Sequence, residues 1–116
     1  MKQKTKILLE NTFLMREGEQ STEMYILLSG KLSVLKRKGN AEKRIGEIGP
    51  GEIVGEMSFL DQAPRSASVR ALEISEILII PRSQFLTTLD SFPNWYKSIY
   101  NTILDRLRKT TSKIKV

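Results

Sequence analysis

The chain contains no cysteine and no histidine. Without cysteine, disulfides and thiolate chemistry are excluded. Without histidine, the commonest general base and the commonest zinc ligand are missing, so a histidine-based hydrolytic triad or metal site is excluded too. The acidic residues are scattered and lack the spacing of a metal-binding loop. These absences argue against an enzyme before any motif is read. No apolar run approaches the ~20 residues that cross a bilayer. The N-terminal stretch MKQKTKILLENT lacks the long apolar region of a signal peptide, so a cytoplasmic protein with no membrane contact is expected.

What is present fits one small domain. The chain has 116 residues and a net charge of +6, enough length to bury a single core. The basic excess gathers at the ends, at Lys2, Lys4 and Lys6 and at Arg106, Arg108, Lys109, Lys113 and Lys115, with a third cluster at Lys36-Arg37-Lys38. Such runs read first as solvated surface, and second as a pull on anionic ligands or an acidic partner. No recognition helix or aromatic–basic platform accompanies them, so direct DNA binding is not expected.

Hydrophobic patterning divides the chain at Pro81. Before it, Lys6–Leu9, Phe13–Met15, Met24–Leu28, Leu32–Lys36, Glu42–Ile48, Ser66–Ala71 and Glu76–Ile80 read as short strands, mostly rich in Ile, Leu and Val. Every glycine falls in this region. Arg16-Glu17-Gly18-Glu19, Ser29-Gly30-Lys31 and Gly39-Asn40 read as hairpin connections, and Gly49-Pro50-Gly51 as a hard turn. This turn frequency predicts a compact β-roll or barrel over about 6–80. After Pro81, Ser83 is placed to cap a short helix carrying Phe85, Leu86 and Leu89. Asp90 or Ser91 is placed to start a second helix over about 93–110. On it Trp95, Ile99, Ile103 and Leu107 recur every four residues, flanked by a ridge of Tyr96, Tyr100 and Leu104. Lys97, Asn101, Asp105 and Arg108 occupy the other side. The stripe is expected to pack on the β-region or on a second copy, or to serve as a movable lid. A basic tail, 111–116, completes the expected single domain 1–116.

The most informative stretch is GEIVGEMSFLDQAPRSASVRA, from Gly51 to Ala71. Gly51 and Gly55 allow a tight turn and a close backbone approach to a ligand. The run after Gly55 can form about one helical turn, whose free N–H groups attract phosphate. Arg65 follows Glu56 by nine positions, and its planar fork of donors matches phosphate oxygens. Glu56 would repel phosphate but suits a hydroxyl donor such as a ribose 2′-OH. Amides and an arginine for phosphate, with a carboxylate for the adjacent hydroxyl, describe a cyclic ribose phosphate. Glu52, in the first Gly-Glu pair, is assigned to solvent or a local hydrogen bond. The loop is no P-loop, since Gly-Lys-Ser/Thr is absent and the glycine spacing differs.

Gly55-Glu56-Met57-Ser58-Phe59 followed by Pro64-Arg65-Ser66-Ala67-Ser68-Val69 resembles the phosphate-binding cassette of the cyclic nucleotide-binding domain family. Phe13–Glu19, Met24–Gly30 and Ile48–Glu52 resemble that family's β-roll landmarks, so the resemblance covers about residues 7 to 110. It implies a mainly β fold with α, a jelly-roll-like β-roll followed by two C-terminal helices. It implies that Glu56 accepts the ribose 2′-OH and that Arg65 pairs with the cyclic phosphate. Backbone amides of Met57 or Ser58, and of Ser66 or Ala67, would contact phosphate oxygens, with Val54 and Gly55 lining the ribose side. Serine at position 66 is similar to the catabolite activator and leans toward cyclic AMP over cyclic GMP. The ligand is the nucleotide itself, with no further cofactor. No winged helix-turn-helix follows the last helix, so a regulatory sensor is expected whose output runs through a protein partner or a homodimer. Ligand entry would pull the 55–60 turn inward and let Phe59 repack on Phe85 and Leu86. The last helix would then swing, with Tyr100, Ile103, Leu104 or Leu107 covering the base. The alternative is a ligand-independent interaction or dimerisation module using the apolar helix and the basic tail.

Overall fold

The structure is a computed structural model that describes residues 3–56 and 62–110, with backbone alone at 107, 108 and 110. Eight strands run in order: β1 (Lys4–Leu8), β2 (Phe13–Met15), β3 (Glu23–Ser29), β4 (Leu32–Lys38), β5 (Ala41–Ile48), β6 (Ile53–Val54), β7 (Ser68–Ala71) and β8 (Ser75–Pro81). Two helices follow, α1 (Arg82–Asp90) and α2 (Asn94–Thr110). The strands form two four-stranded antiparallel sheets, ordered β1-β8-β3-β6 and β2-β7-β4-β5. This is the mainly β roll with two C-terminal helices that the sequence implied.

The pleat sorts each strand's side chains between two faces. In β3, Tyr25 and Leu27 point into the space between the sheets, where they meet Val54, Leu32, Val69 and Ile77 in the core. Met24 and Ile26 alternate with them on the outer face, and Met24 is buried there against the helical side of the domain. β4 is buried along Leu32–Leu35, on both of its faces.

Two of the three expected hairpins are not hairpins. Arg16–Glu19 joins β2 to β3, and Ser29-Gly30-Lys31 joins β3 to β4, and in each case the two strands lie in different sheets. Both segments are arches across the roll. At Gly30 (φ +100°) a Cβ would stand 2.6 Å from Ser75 Cα, so only glycine passes there. Gly39-Asn40 is a true hairpin, closed by the Lys38–Ala41 pair. β6 was not expected as a strand. Its two residues pair with Tyr25 and Ile26, and a period cannot be read from two positions.

The helix signals are also corrected. Pro81 holds the N-cap position of α1 with no side-chain cap, and Ser83 lies inside the first turn. Ser91 ends α1 instead of starting α2: its N–H and Oγ both donate to the Thr88 carbonyl, at 3.1 and 2.6 Å. The N–H groups of Tyr96 and Lys97 donate to the Pro93 carbonyl at the head of α2. Along α2 it is Tyr100 and Leu104 of the flanking ridge that pack, while Tyr96 is 45% exposed. Leu104 is buried, and Tyr100 sits 5.9 Å from the Phe85 ring, centroid to centroid. Trp95 and Ile99 face outward at 65% and 53% exposure, and Ile103, 60% exposed, sits at the rim between them and the Phe85 wall. Among the described residues no helix is long and apolar enough to cross a membrane. The basic tail and the side chain of Leu107 lie outside the described residues.

Candidate functional site

The site grows from the turn that feeds β6. Gly51 N–H donates to the Leu27 carbonyl at 2.7 Å, and Leu27 N–H donates to the Glu52 carbonyl at 3.1 Å, which clamps the turn to β3. Glu52 accepts from the Gly49 N–H, so its carboxylate is engaged locally, as expected. Val54 then enters the core completely. Gly55 follows with φ +81°, a conformation that favours glycine.

That conformation lets Arg65 approach. Its Nη1 donates to the Gly55 carbonyl at 3.2 Å, and a Cβ on Gly55 would collide with the same nitrogen. Nη2 donates to the Glu23 carbonyl at 2.6 Å, and the guanidinium carbon stands 5.5 Å from the centre of the Tyr25 ring. Arg65 is 4% exposed, which is unusual for its type. Beneath it, Tyr25 Oη donates to Glu23 Oε1 at 2.8 Å. Burial, and then the neighbouring Glu23 carboxylate, push the Tyr25 hydroxyl well above the ordinary phenol range, so it stays protonated.

Glu56 is one peptide beyond the carbonyl that holds Arg65. Its Oε2 is buried and has no hydrogen-bond partner among the described residues. Burial raises its pKa above the ordinary carboxylate value, opposed in part by a backbone hydrogen bond. Glu56 and Ile53 together border two hollows. One of about 210 Å³ is walled by Met24, Phe85, Tyr100, Ile103 and Leu104, and it is almost wholly apolar. The other, of about 220 Å³, is walled by Val34, Ile45, Gly46, Glu47, Ile48 and Glu52.

The far limb of the loop is held from outside. Arg65 N–H donates to the Glu19 carbonyl at 2.7 Å, and Gly18 N–H donates to the Arg65 carbonyl at 2.8 Å. The Ser66 carbonyl accepts from Lys36 Nζ at 2.6 Å, and Ser68 Oγ accepts from the Glu17 N–H at 2.9 Å. Ala67 is fully buried in the core cluster. The structure thus brings Gly55, Glu56 and Arg65 to one place, with Ser66 and Ala67 adjoining through the chain. Met57 and Ser58, and Phe59 with them, lie outside the described residues. Glu23, Tyr25 and Lys36 were not singled out from sequence. Nothing in a strand pattern marks a backbone carbonyl as an arginine's acceptor, and Lys36 was grouped with its exposed neighbours. No cluster of three acidic side chains fit for a metal ion occurs among the described residues.

The family model described as the cyclic nucleotide-binding domain matches residues 5–92. The chain belongs to this family. Two relatives agree with the membership. A cyclic AMP receptor protein of Thermus thermophilus is 33% identical over 94 residues, 80% of this chain and 44% of the relative. A lysophospholipase nte1 of Aspergillus fumigatus is 34% identical over 94 residues, 80% of this chain and 6% of the relative. The cyclic nucleotide-binding domain here thus spans under half of the first relative and a small part of the second. Among solved structures, the half-site-occupied form of the EAL enzyme Bd1971 superposes with a TM-score of 0.83 at 28% identity, covering 95% of this chain and 99% of that one. The same enzyme in cAMP-bound and cGMP-bound forms gives TM-scores of 0.74 and 0.76 at 29% identity, covering 94% of this chain and 29% of each.

Proposed function

We propose that this domain is a sensor that binds a cyclic nucleotide, cyclic AMP ahead of cyclic GMP, and acts as a regulator without chemistry of its own. The observation that carries the reading is the buried Oε2 of Glu56, without a hydrogen-bond partner among the described residues and one peptide from the carbonyl on which Arg65 rests. A buried acceptor left without a donor costs folding free energy, about 1–3 kcal/mol. A ribose hydroxyl would supply the missing donor. Arg65 would exchange a carbonyl acceptor for a phosphate oxygen, a stronger, charge-assisted partner. Gly55 and the backbone of Val54 would face the ribose, and the amides of Met57 or Ser58 and of Ser66 or Ala67 would complete the phosphate cradle. The cAMP-bound and cGMP-bound forms of an EAL enzyme that is similar to this chain over part of its length support the ligand class. A cytoplasmic setting goes with this reading.

The output would pass to α2. Releasing the Gly55 carbonyl frees the turn to move toward the phosphate, beside the wall where Phe85 meets Tyr100. The nucleotide shifts α2 only by its different affinity for the two arrangements. Calorimetric titration of the wild type and of Arg65→Lys tests the reading. Lysine keeps the charge but loses the fork, so affinity for cyclic AMP should fall roughly 10- to 100-fold. Absence of heat with either cyclic nucleotide on the wild type would defeat the proposal, and breakdown of the nucleotide during incubation would defeat its non-enzymatic part.

The outward pair Trp95 and Ile99 favours a second reading beside the first. Apolar side chains this exposed on one helical face suit a second copy or a protein partner.

A further inference from the structure

The basic run Lys36-Arg37-Lys38 divides on folding. Arg37 and Lys38 project from the β4–β5 hairpin into solvent, whereas Lys36 is half-buried. Its Nζ donates to the Ser66 carbonyl at 2.6 Å and lies 3.8 Å from Glu17 Oε2. We infer that Lys36 is a positioning residue for the phosphate-binding loop, setting the direction and donor strength of the Ala67 N–H. This inference rests on the cyclic nucleotide reading for its functional consequence, though not for its geometry.

The argument starts from the peptide unit. The bond between Ser66 and Ala67 is trans, as are all those described, so its C=O and N–H point in opposite directions. Lys36 fixes the carbonyl on the outer side of the loop. The Ala67 N–H is thereby directed away from Lys36. A hydrogen bond on a carbonyl also polarises its peptide and strengthens the N–H on the other end. An ammonium does this more than a neutral donor.

The surroundings prevent the peptide from turning. Arg65 is tied at both N–H and C=O to Glu19 and Gly18. Ala67 is anchored in the core by its methyl group. Glu17, beside Lys36, accepts the Arg37 N–H at 3.0 Å and donates its own N–H to Ser68 Oγ. Lys36 thus gives the peptide 66–67 a contact to a charged group. The ion pair with Glu17 is long and partly exposed, a kind of contact that adds little stability, so the carbonyl is the partner that matters.

The test compares Lys36→Met, Lys36→Arg and Lys38→Met in the whole chain. Lys38→Met removes the same charge from the exposed end of the strand. Cyclic AMP affinity is read by calorimetry, and the Ala67 amide 15N resonance and exchange rate are read on ligand-free protein. Lys36→Met should weaken binding about tenfold and move the Ala67 resonance. Lys36→Arg, which can still donate to the carbonyl, should return to within about threefold of wild type. Lys38→Met should leave both readouts unchanged. Equal weakening by Lys38→Met would make the effect a general charge attraction and overturn the inference. So would an unmoved Ala67 resonance in Lys36→Met. If the wild type binds no cyclic nucleotide, the functional reading fails, while the Ala67 signal still decides whether Lys36 orients the loop.

Discussion

Replacing Glu56 by glutamine separates what this side chain does for the fold from what it does for a ligand. Its Oε2 is buried without a partner among the described residues, and burial holds its pKa above the ordinary carboxylate value. The ionised form is therefore a liability to the empty domain. An amide is smaller in desolvation cost than an anion, so Glu56→Gln should stabilise the ligand-free protein by about 1 kcal/mol. For a chain of this size that is a rise in Tm of roughly 4 °C. Binding should move the other way. A hydroxyl donating to a carboxylate is worth about 1 kcal/mol more than one donating to an amide, so affinity should drop roughly fivefold to tenfold. The pH dependence follows from the direction of the shift. Because the folded-state pKa is raised, this group's favourable contribution is full below the unfolded value and is lost as pH rises through the folded one. The empty wild type should thus lose stability relative to Glu56→Gln over that window. Nucleotide affinity should weaken on acidification at a higher pH than for an ordinary glutamate, and the glutamine variant should lack that step. Thermal melts and titrations over a pH series supply both curves. A glutamine variant that melts lower than wild type and binds as well would refute the reasoning, because Glu56 would then be a structural acceptor.

Gly55→Ala should both strain the backbone and displace Arg65, since the new methyl would meet Nη1. A left-handed non-glycine residue alone costs about 1–2 kcal/mol, so Tm should fall by several degrees and binding should weaken further than in Gly39→Ala. Gly39 (φ +62°) shares the left-handed backbone but has open space around it, and equal effects at the two positions would remove the claimed contact with Arg65. Ile99→Glu should convert any dimer built on the outward face of α2 into monomers in sedimentation velocity. A wild type that is monomeric at every concentration would dismiss the self-association form of that second reading.

The local grammar of this chain was legible before folding. Short runs rich in Ile, Leu and Val, such as Met24–Leu28 and Leu32–Lys36, marked strands because such side chains pack well on a pleated, half-buried surface. Gly39-Asn40 marked a hairpin, and the interval from Gly55 to Val69 marked the candidate ligand loop, because both depend on residues close in sequence. What stayed hidden depends on distant partners. β2 finds its neighbour in β7, and β3 lies between β8 and β6, so the turns at Gly18 and Gly30 had to be arches. Turn chemistry specifies that the backbone reverses, and not which sheet receives it. The apolar positions of α2 announced a stripe, but only the wall of Met24 and Phe85 decided that Tyr100 and Leu104 would pack while Trp95 and Ile99 stayed outside. Arg65 was visible as a phosphate-matching group. That it rests on the carbonyls of Gly55 and Glu23, with Lys36 gripping the next residue, follows from long-range packing, because carbonyl oxygens carry no side-chain identity to be read along a sequence.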